Sequence, residues 1–274
     1  MIGMVPKLFP VIAGLCLLAG SRELAAQDAK DRFSWPEGKR VAVSLSFDDA
    51  RPSQIDVGLP LFDKYGVKAT FYVNPRSIEK RLDGWKKAAA SGHEIGNHTS
   101  SHPCTVNYPF SSKNALEGYT ARRMEAELDG ASADIQRLLG IKPATFAYPC
   151  GQKFIGRGED VESYVPLVAR RFLAGRGYRD EGANDPAACD LAQVMGMESD
   201  ALTFDQMKSL VDTAAAEAGW LVFAGHEIGQ PGRQTTQAAD LEQFLRYARD
   251  PASAIWVDTV EAVGKYIRAK RGGK

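Results

Sequence analysis

The chain carries four histidines in 274 residues, and three of them lie in one stretch, SGHEIGNHTSSHP, from Ser91 to Pro103. His98 and His102 stand four apart. Within a helical turn that spacing puts both imidazoles on one side, where two ligands of one zinc ion belong. A metalloprotease helix would hold a glutamate inside the spacing, as H-E-x-x-H, but here Thr99, Ser100 and Ser101 intervene. A general base must therefore come from elsewhere, and the adjacent Asp48 and Asp49 of SFDDA are the supply. Neighbouring carboxylates where a strand becomes a loop point in different directions, so one can bind a metal while the other stays free. Taken alone, the Asp pair reads more readily as a helix cap or solvated turn; for the His pair, two surface histidines are the open alternative. The fourth histidine, His226, ends the apolar run WLVFAGH, while His93 precedes its strand and reads as structural or exposed.

These groups need elements to hold them. Strand-like apolar runs alternate with helix-like segments from Val41 onward: VAVSLSF (41–47), KATFYVN (68–74), HEIGNH (93–98), ATFAYP (144–149), RFLAG (171–175), WLVFAG (220–225) and AIWVDTV (254–260). Continuous apolar strands separated by helices imply parallel pairing with both faces covered. About seven such units, with no linker between them, predict an α/β fold: a distorted (β/α) barrel of about seven strands in a single domain over residues 27–274. No G-x-G-x-x-G follows the first strand, which removes the dinucleotide-binding reading. In a βα barrel the chemistry sits at the C-terminal ends of the strands. Asp48, Asp49, His98, His102 and His226 all fall there. So do the turn Tyr148–Gly151, which can present a backbone N–H, and Arg176, which reads either as a carboxylate-orienting group or as plain surface charge.

Composition narrows the partners. Lys plus Arg and Asp plus Glu both number 34, so no basic field exists to hold nucleic acid or an anionic membrane. Lys7 followed by the apolar run LFPVIAGLCLLAG, with small residues at Ala25 and Ala26, reads as a cleaved signal peptide over 1–26. The run is short for a bilayer span, so the expectation is an exported protein, periplasmic or secreted, with no stable membrane span after cleavage. Removing Cys16 leaves Cys104, Cys150 and Cys189, read either as one disulfide and one thiol or as three buried thiols.

SFDD, HTSSHP, YPCG and LVFAGH, in this order and at this spacing, resemble the polysaccharide deacetylases, the NodB-homology domains of carbohydrate esterase family 4. The resemblance runs from about Val41 to Tyr266. It implies Asp49, His98 and His102 as ligands of a divalent metal ion, zinc first among them, with Asp48 as general base and His226 as general acid. It also implies a backbone donor to the oxyanion at the position of Cys150, beside Tyr148. Leu221, with Trp220 and Phe223, would line a small apolar pocket for the acetyl methyl. The implied substrate is an N-acetylated poly- or oligosaccharide. The family's turn arginine is missing, since Ala147, Tyr148, Pro149 and Cys150 stand at Arg-x-Pro-Tyr, and Arg176 is the candidate replacement. With parallel strands setting their loops side by side, a Cys104–Cys150 disulfide beside the metal is expected. The alternatives are an O-acetyl esterase on polysaccharide, an amidase on a small non-sugar substrate, and a carbohydrate-binding protein with an inactive site; the intact set of five polar groups speaks against the last.

Overall fold

The computed structural model describes residues 33–272, so the expected signal segment, 1–26, lies outside the described residues. Eight strands form the main sheet in chain order: β1 (Val41–Asp48), β2 (Thr70–Val73), β3 (Glu94–Asn97), β4 (Thr145–Ala147), β5 (Ala174–Arg176), β6 (Met197–Glu198), β7 (Trp220–Gly225) and β8 (Ile255–Val257). Seven of them run side by side as β5-β4-β3-β2-β1-β7-β6, and every pairing is parallel. The eighth, β8, pairs with the first residues of β1, on the edge that β2 takes over from Ser46 onward. The sheet curls into a half-barrel, the distorted (β/α) barrel expected from the alternating runs. Its two ends are tied by Val194, which lies just before β6 and bridges to Arg176 in β5.

Helices cover the outer face. The longer ones are α1 (Leu59–Tyr65), α2 (Leu82–Ala90), α3 (Ala121–Leu139), α4 (Phe204–Ala216), α5 (Ala238–Arg249) and α6 (Val260–Lys270). In α3 the buried stripe is Met124, Leu128, Ala131 and Ile135, spaced as one helical face. The Thr120 hydroxyl caps its first turn, and Gly140, at φ 73°, ends it in the left-handed region. Thr203 and Gln206 form a reciprocal capping box at the start of α4.

Because side chains alternate along a strand, parity decides which residues see the interior of the curl. In β1 the odd positions Val43, Leu45 and Phe47 join the outer core with Phe62, Phe71 and Phe244. Burying each of these aromatic side chains is worth roughly 1.5–3 kcal/mol. The even positions Ser44, Ser46 and Asp48 face inward, where Ser44 accepts a hydrogen bond from the Trp220 indole at 3.0 Å. Thr70 and Tyr72 of β2, Glu94 and Gly96 of β3, Thr145 of β4 and Arg176 of β5 line the same interior. Gly96 has to lack a side chain, since a Cβ there would stand 2.4 Å from the Tyr72 ring.

At the N-terminal end of the interior, the Glu94 carboxylate accepts from the Thr70 hydroxyl at 2.8 Å, the Glu261 backbone N–H at 2.8 Å and the Thr145 hydroxyl. It thereby closes the first turn of α6 onto the sheet. Burial pushes its carboxyl up, the three donors only partly offset this, and the result is a pKa of about 7 against an ordinary 4.5. His93 is buried too, packed on Phe62 and Phe71, with Nδ1 accepting from the Ala69 N–H at 3.1 Å. Burial holds this imidazole down to about 4, so it is a neutral core residue.

Cys104 and Cys150 are joined as a disulfide that ties the loop after β3 to the turn after β4, and Cys189 is the free cysteine among the described residues. Two measurements follow from these features. Peptide mapping without reduction finds Cys104 linked to Cys150 and Cys189 open to alkylation. Replacing both bridged residues by serine costs about 4 kcal/mol of stability from loop-closure entropy, given their separation of 46 residues. Between pH 4.5 and 7 the folded protein keeps the Glu94 proton that the unfolded chain has lost, so stability falls as pH rises through that window. In Glu94→Gln this decline disappears, and urea midpoints from pH 4 to 8 measure the change of slope.

Candidate active site

β1 delivers two carboxylates with opposite duties. Asp48, at its inward-facing end, is 3% exposed, and its Oδ1 accepts from the Arg176 guanidinium, which is wholly buried. Arg176 in turn donates to the Gly177 carbonyl at 2.7 Å and lies against the Tyr72 ring, 5.0 Å from its centroid. Gly196 makes room for it, since a Cβ there would meet the arginine Cδ at 2.4 Å. Burial alone would push the Asp48 carboxyl up. The charge of Arg176, with His98 and His226 behind it, reverses this and holds it below the usual carboxylate range.

Asp49 leaves the strand with φ 74° and turns the other way. Its Oδ1 lies 3.7 Å from His98 Nε2 and 3.5 Å from His102 Nε2, while Oδ2 takes a hydrogen bond from Arg51 at 2.9 Å. One ligand atom from each of Asp49, His98 and His102 lies within 4.8 Å of the others. Burial works against the Asp49 charge, yet the two imidazoles, Arg51 and His226 bring its pKa down to about 2. His98 Nδ1 stands 2.9 Å from the Ala147 carbonyl, so the proton belongs on Nδ1 and the Nε2 lone pair is free to ligate. Burial, above all, keeps the His98 pKa near 4, so the ring is neutral at pH 7.

The two histidines converge, although not as the turn of helix that their spacing predicts. The segment after β3 is a loop, with Thr99 at φ 62° and His102 at φ 52°. The Asn97 side chain accepts from the Thr99 N–H at 2.8 Å, and the Thr99 hydroxyl accepts from the His102 N–H at 3.0 Å. The rings meet edge to face with centroids 4.8 Å apart. A second cluster, His102 with Cys104 and Cys150, is unavailable as a metal site because its two sulfurs are bonded to each other.

His226 follows β7. Its Nδ1 pairs with Asp200 Oδ2 at 2.7 Å, and Asp200 Oδ1 accepts the His226 N–H at 3.1 Å. Burial alone would lower this imidazole's pKa, but the Asp200 hydrogen bond and the negative charges of Asp48 and Asp200 raise it above the ordinary 6.5. The Gln54 amide donates to both the Asp48 carbonyl at 2.6 Å and the His226 carbonyl at 2.8 Å, clamping the ends of β1 and β7 together. Sequence reasoning missed Asp200 and Gln54. No motif marks either, and only their contacts in three dimensions reveal them.

Three expected residues do not reach the site. Leu221 and Phe223 have the parity opposite to Trp220, and they pack in the outer core with Val43 and Leu45 rather than lining an acetyl pocket. Tyr148 shares the outward parity of Phe146: it lies in the second apolar cluster, fully buried, with its hydroxyl on the Ala192 carbonyl at 2.7 Å. Cys150 sits in its turn at φ 56°, held by the disulfide to the loop that carries His102.

Comparison with known proteins gives the site a setting. The family model for polysaccharide deacetylase matches residues 36–159, which hold Asp48, Asp49, His98 and His102 but neither Arg176, Asp200 nor His226. A peptidoglycan-N-acetylglucosamine deacetylase of Bacillus cereus is 40% identical over 74 residues, 26% of each chain. A gellan lyase of a Bacillus species is 28% identical over 259 residues, 86% of this chain and 10% of that protein. The chain thus spans about a quarter or less of the length of these relatives. The structure of the peptidoglycan deacetylase PdaC from Bacillus subtilis superposes with a TM-score of 0.53 at 16% identity, covering 85% of this chain and 94% of that one, which is a likeness of fold. Residues 36–159 thus match the polysaccharide deacetylase family, and the parallel half-barrel with polar groups at its strand ends accords with that match.

Proposed function

We propose that the protein is an exported, metal-dependent hydrolase that removes acetyl groups from N-acetylated sugars of a poly- or oligosaccharide. One observation carries the reading: a carboxylate held ionised by a buried arginine, Asp48 with Arg176, stands beside three converging ligand atoms of Asp49, His98 and His102. Two imidazole nitrogens and one carboxylate oxygen fit a zinc-type ion that keeps an open position, and the Ala147 carbonyl already fixes the His98 tautomer such a ligand requires. Such an ion supplies Lewis acidity towards a water molecule and the acetyl carbonyl.

This chain's own residues do the rest. Asp48 accepts the proton of the attacking water, and Arg176 aims its carboxylate and keeps it charged. The backbone of Cys150 is assigned as donor to the developing oxyanion. Expelling an amine requires protonation of its nitrogen, and His226, whose proton Asp200 stabilises, is the acid built for that step. An ester's alkoxide depends less on protonation than an amide's nitrogen does, which favours the N-acetyl substrate. Export is supported by the Cys104–Cys150 disulfide, a bond of oxidising compartments.

The decisive experiment follows acetate release from N- and O-acetylated glycans, with metal content measured on the same samples. Asp49→Ala and His98→Ala lose both the metal and activity. Asp48→Asn keeps the metal and loses about 10²–10⁴-fold in kcat; full turnover in that variant would overturn the assignment of the base. The alkaline limb of kcat/KM reports His226, whose raised pKa depends on Asp200. In Asp200→Asn the limb therefore moves to lower pH, and a pH–rate profile on the preferred glycan checks the direction.

A further inference from the structure

Asp49 offers an ion only half of its carboxylate. Oδ1 faces the two imidazoles, 3.7 Å from His98 Nε2 and 3.5 Å from His102 Nε2. Oδ2 is taken by Arg51, which donates to that single oxygen through Nη2 at 2.9 Å and Nε at 3.3 Å. Two successive left-handed residues, Asp49 at φ 74° and Ala50 at φ 52°, double the chain back so that the pair can close. Arg51 is also held from its other side, by groups that owe nothing to Asp49. Its Nη1 lies 3.8 Å from Glu227 Oε1. The second Glu227 oxygen accepts from the Ser53 hydroxyl, and Ser53 Oγ accepts from the Ile228 N–H at 3.0 Å. The Glu227 N–H donates to the Gln234 carbonyl at 2.9 Å, at the start of the short parallel pairing of Glu227–Gly229 with Thr235–Gln237. The segment that follows His226 thus helps to set a carboxylate at the end of β1.

We infer that Arg51 is a positioning residue that restricts Asp49 to one ligand oxygen and thereby sets which divalent ion the site prefers. The inference rests on the metal-dependent reading above and deepens it. With Oδ2 committed, the site offers two imidazole nitrogens and one carboxylate oxygen, a set that suits zinc. Harder ions such as Mn²⁺ favour carboxylate oxygens and take more of them. Without Arg51, Asp49 presents both oxygens, and the balance moves towards the harder ion. Removing a cation beside the site also removes a Coulomb repulsion towards any dication. That contribution is the same for two ions of equal charge, so it cancels in the ratio of their affinities. The change of donor set does not cancel.

Dissociation constants for Zn²⁺ and Mn²⁺ are therefore measured on metal-stripped wild type and Arg51→Ala, by competition with a chromophoric chelator. A thermal melt of each stripped protein confirms that it is folded. The ratio of the Mn²⁺ Kd to the Zn²⁺ Kd falls about tenfold in Arg51→Ala, the scale on which groups behind metal ligands act. Glu227→Gln, which loosens the guanidinium without removing it, moves the ratio in the same direction and decides the matter if the alanine variant does not fold. An unchanged ratio, with both constants moved by one common factor, is a charge effect alone; it overturns the inference and leaves the metal-dependent reading standing. Wild-type protein that takes up neither ion sinks that reading and the inference with it.

Discussion

Asp48 and Arg176 lie 128 residues apart, on β1 and β5, with both side chains withdrawn from water. Neither charge is tolerable alone at that depth, because removing one partner of a buried ion pair leaves the other uncompensated at a cost of about 3–5 kcal/mol. Three strands stand between β1 and β5 along the sheet, so the two groups meet only when the sheet curls. Much of the interior answers to that meeting. Tyr72 supports the guanidinium from one side, Gly96 leaves room for Tyr72, and Gly196 leaves room for the arginine stem. The Val194 bridge to Arg176 then joins the segment before β6 to the same place.

Backbone strain gathers at the same end of the sheet. Asp49, Ala50, Thr99, His102 and Cys150 all adopt positive φ without being glycine. Such conformations cost of order 1–3 kcal/mol each and persist where surrounding structure insists on them. Here the insistence is visible: Asn97 holds Thr99, Thr99 holds His102, and the disulfide holds Cys150. Strain, hydrogen bonds and a covalent tie together hold these groups at the strand ends.

Much of this was legible in the residue order. The alternation of apolar runs and helical segments led to a curled parallel sheet, and the rare histidines and paired aspartates at strand ends are the groups the structure brings together. What resisted reading has physical causes. β7 is buried on both faces, so its run WLVFAG shows no alternation, and only the register with β1 reveals that Leu221 points away from His226's side. Tyr148 is hidden in the same way by the short β4. Asp200 sits in a stretch without periodicity, where its role depends wholly on one 2.7 Å contact with a residue 26 positions later. The His98–His102 spacing suggested a helix because four residues span one turn, yet two left-handed residues achieve the same convergence in a loop.

The long separation between Asp48 and Arg176 also fixes when the site can come into being. Closing a loop of that length is an expense of chain entropy that local contacts cannot offset, so the pair forms late, after strands near in sequence have found one another. A nascent chain that had emerged only as far as β4 would already carry Asp49, His98 and His102. Its Asp48 would be entering the interior with no cation to meet it. In the order of synthesis Asp49, His98 and His102 thus precede the arginine that pairs with Asp48, and the buried pair is complete only when β5 arrives.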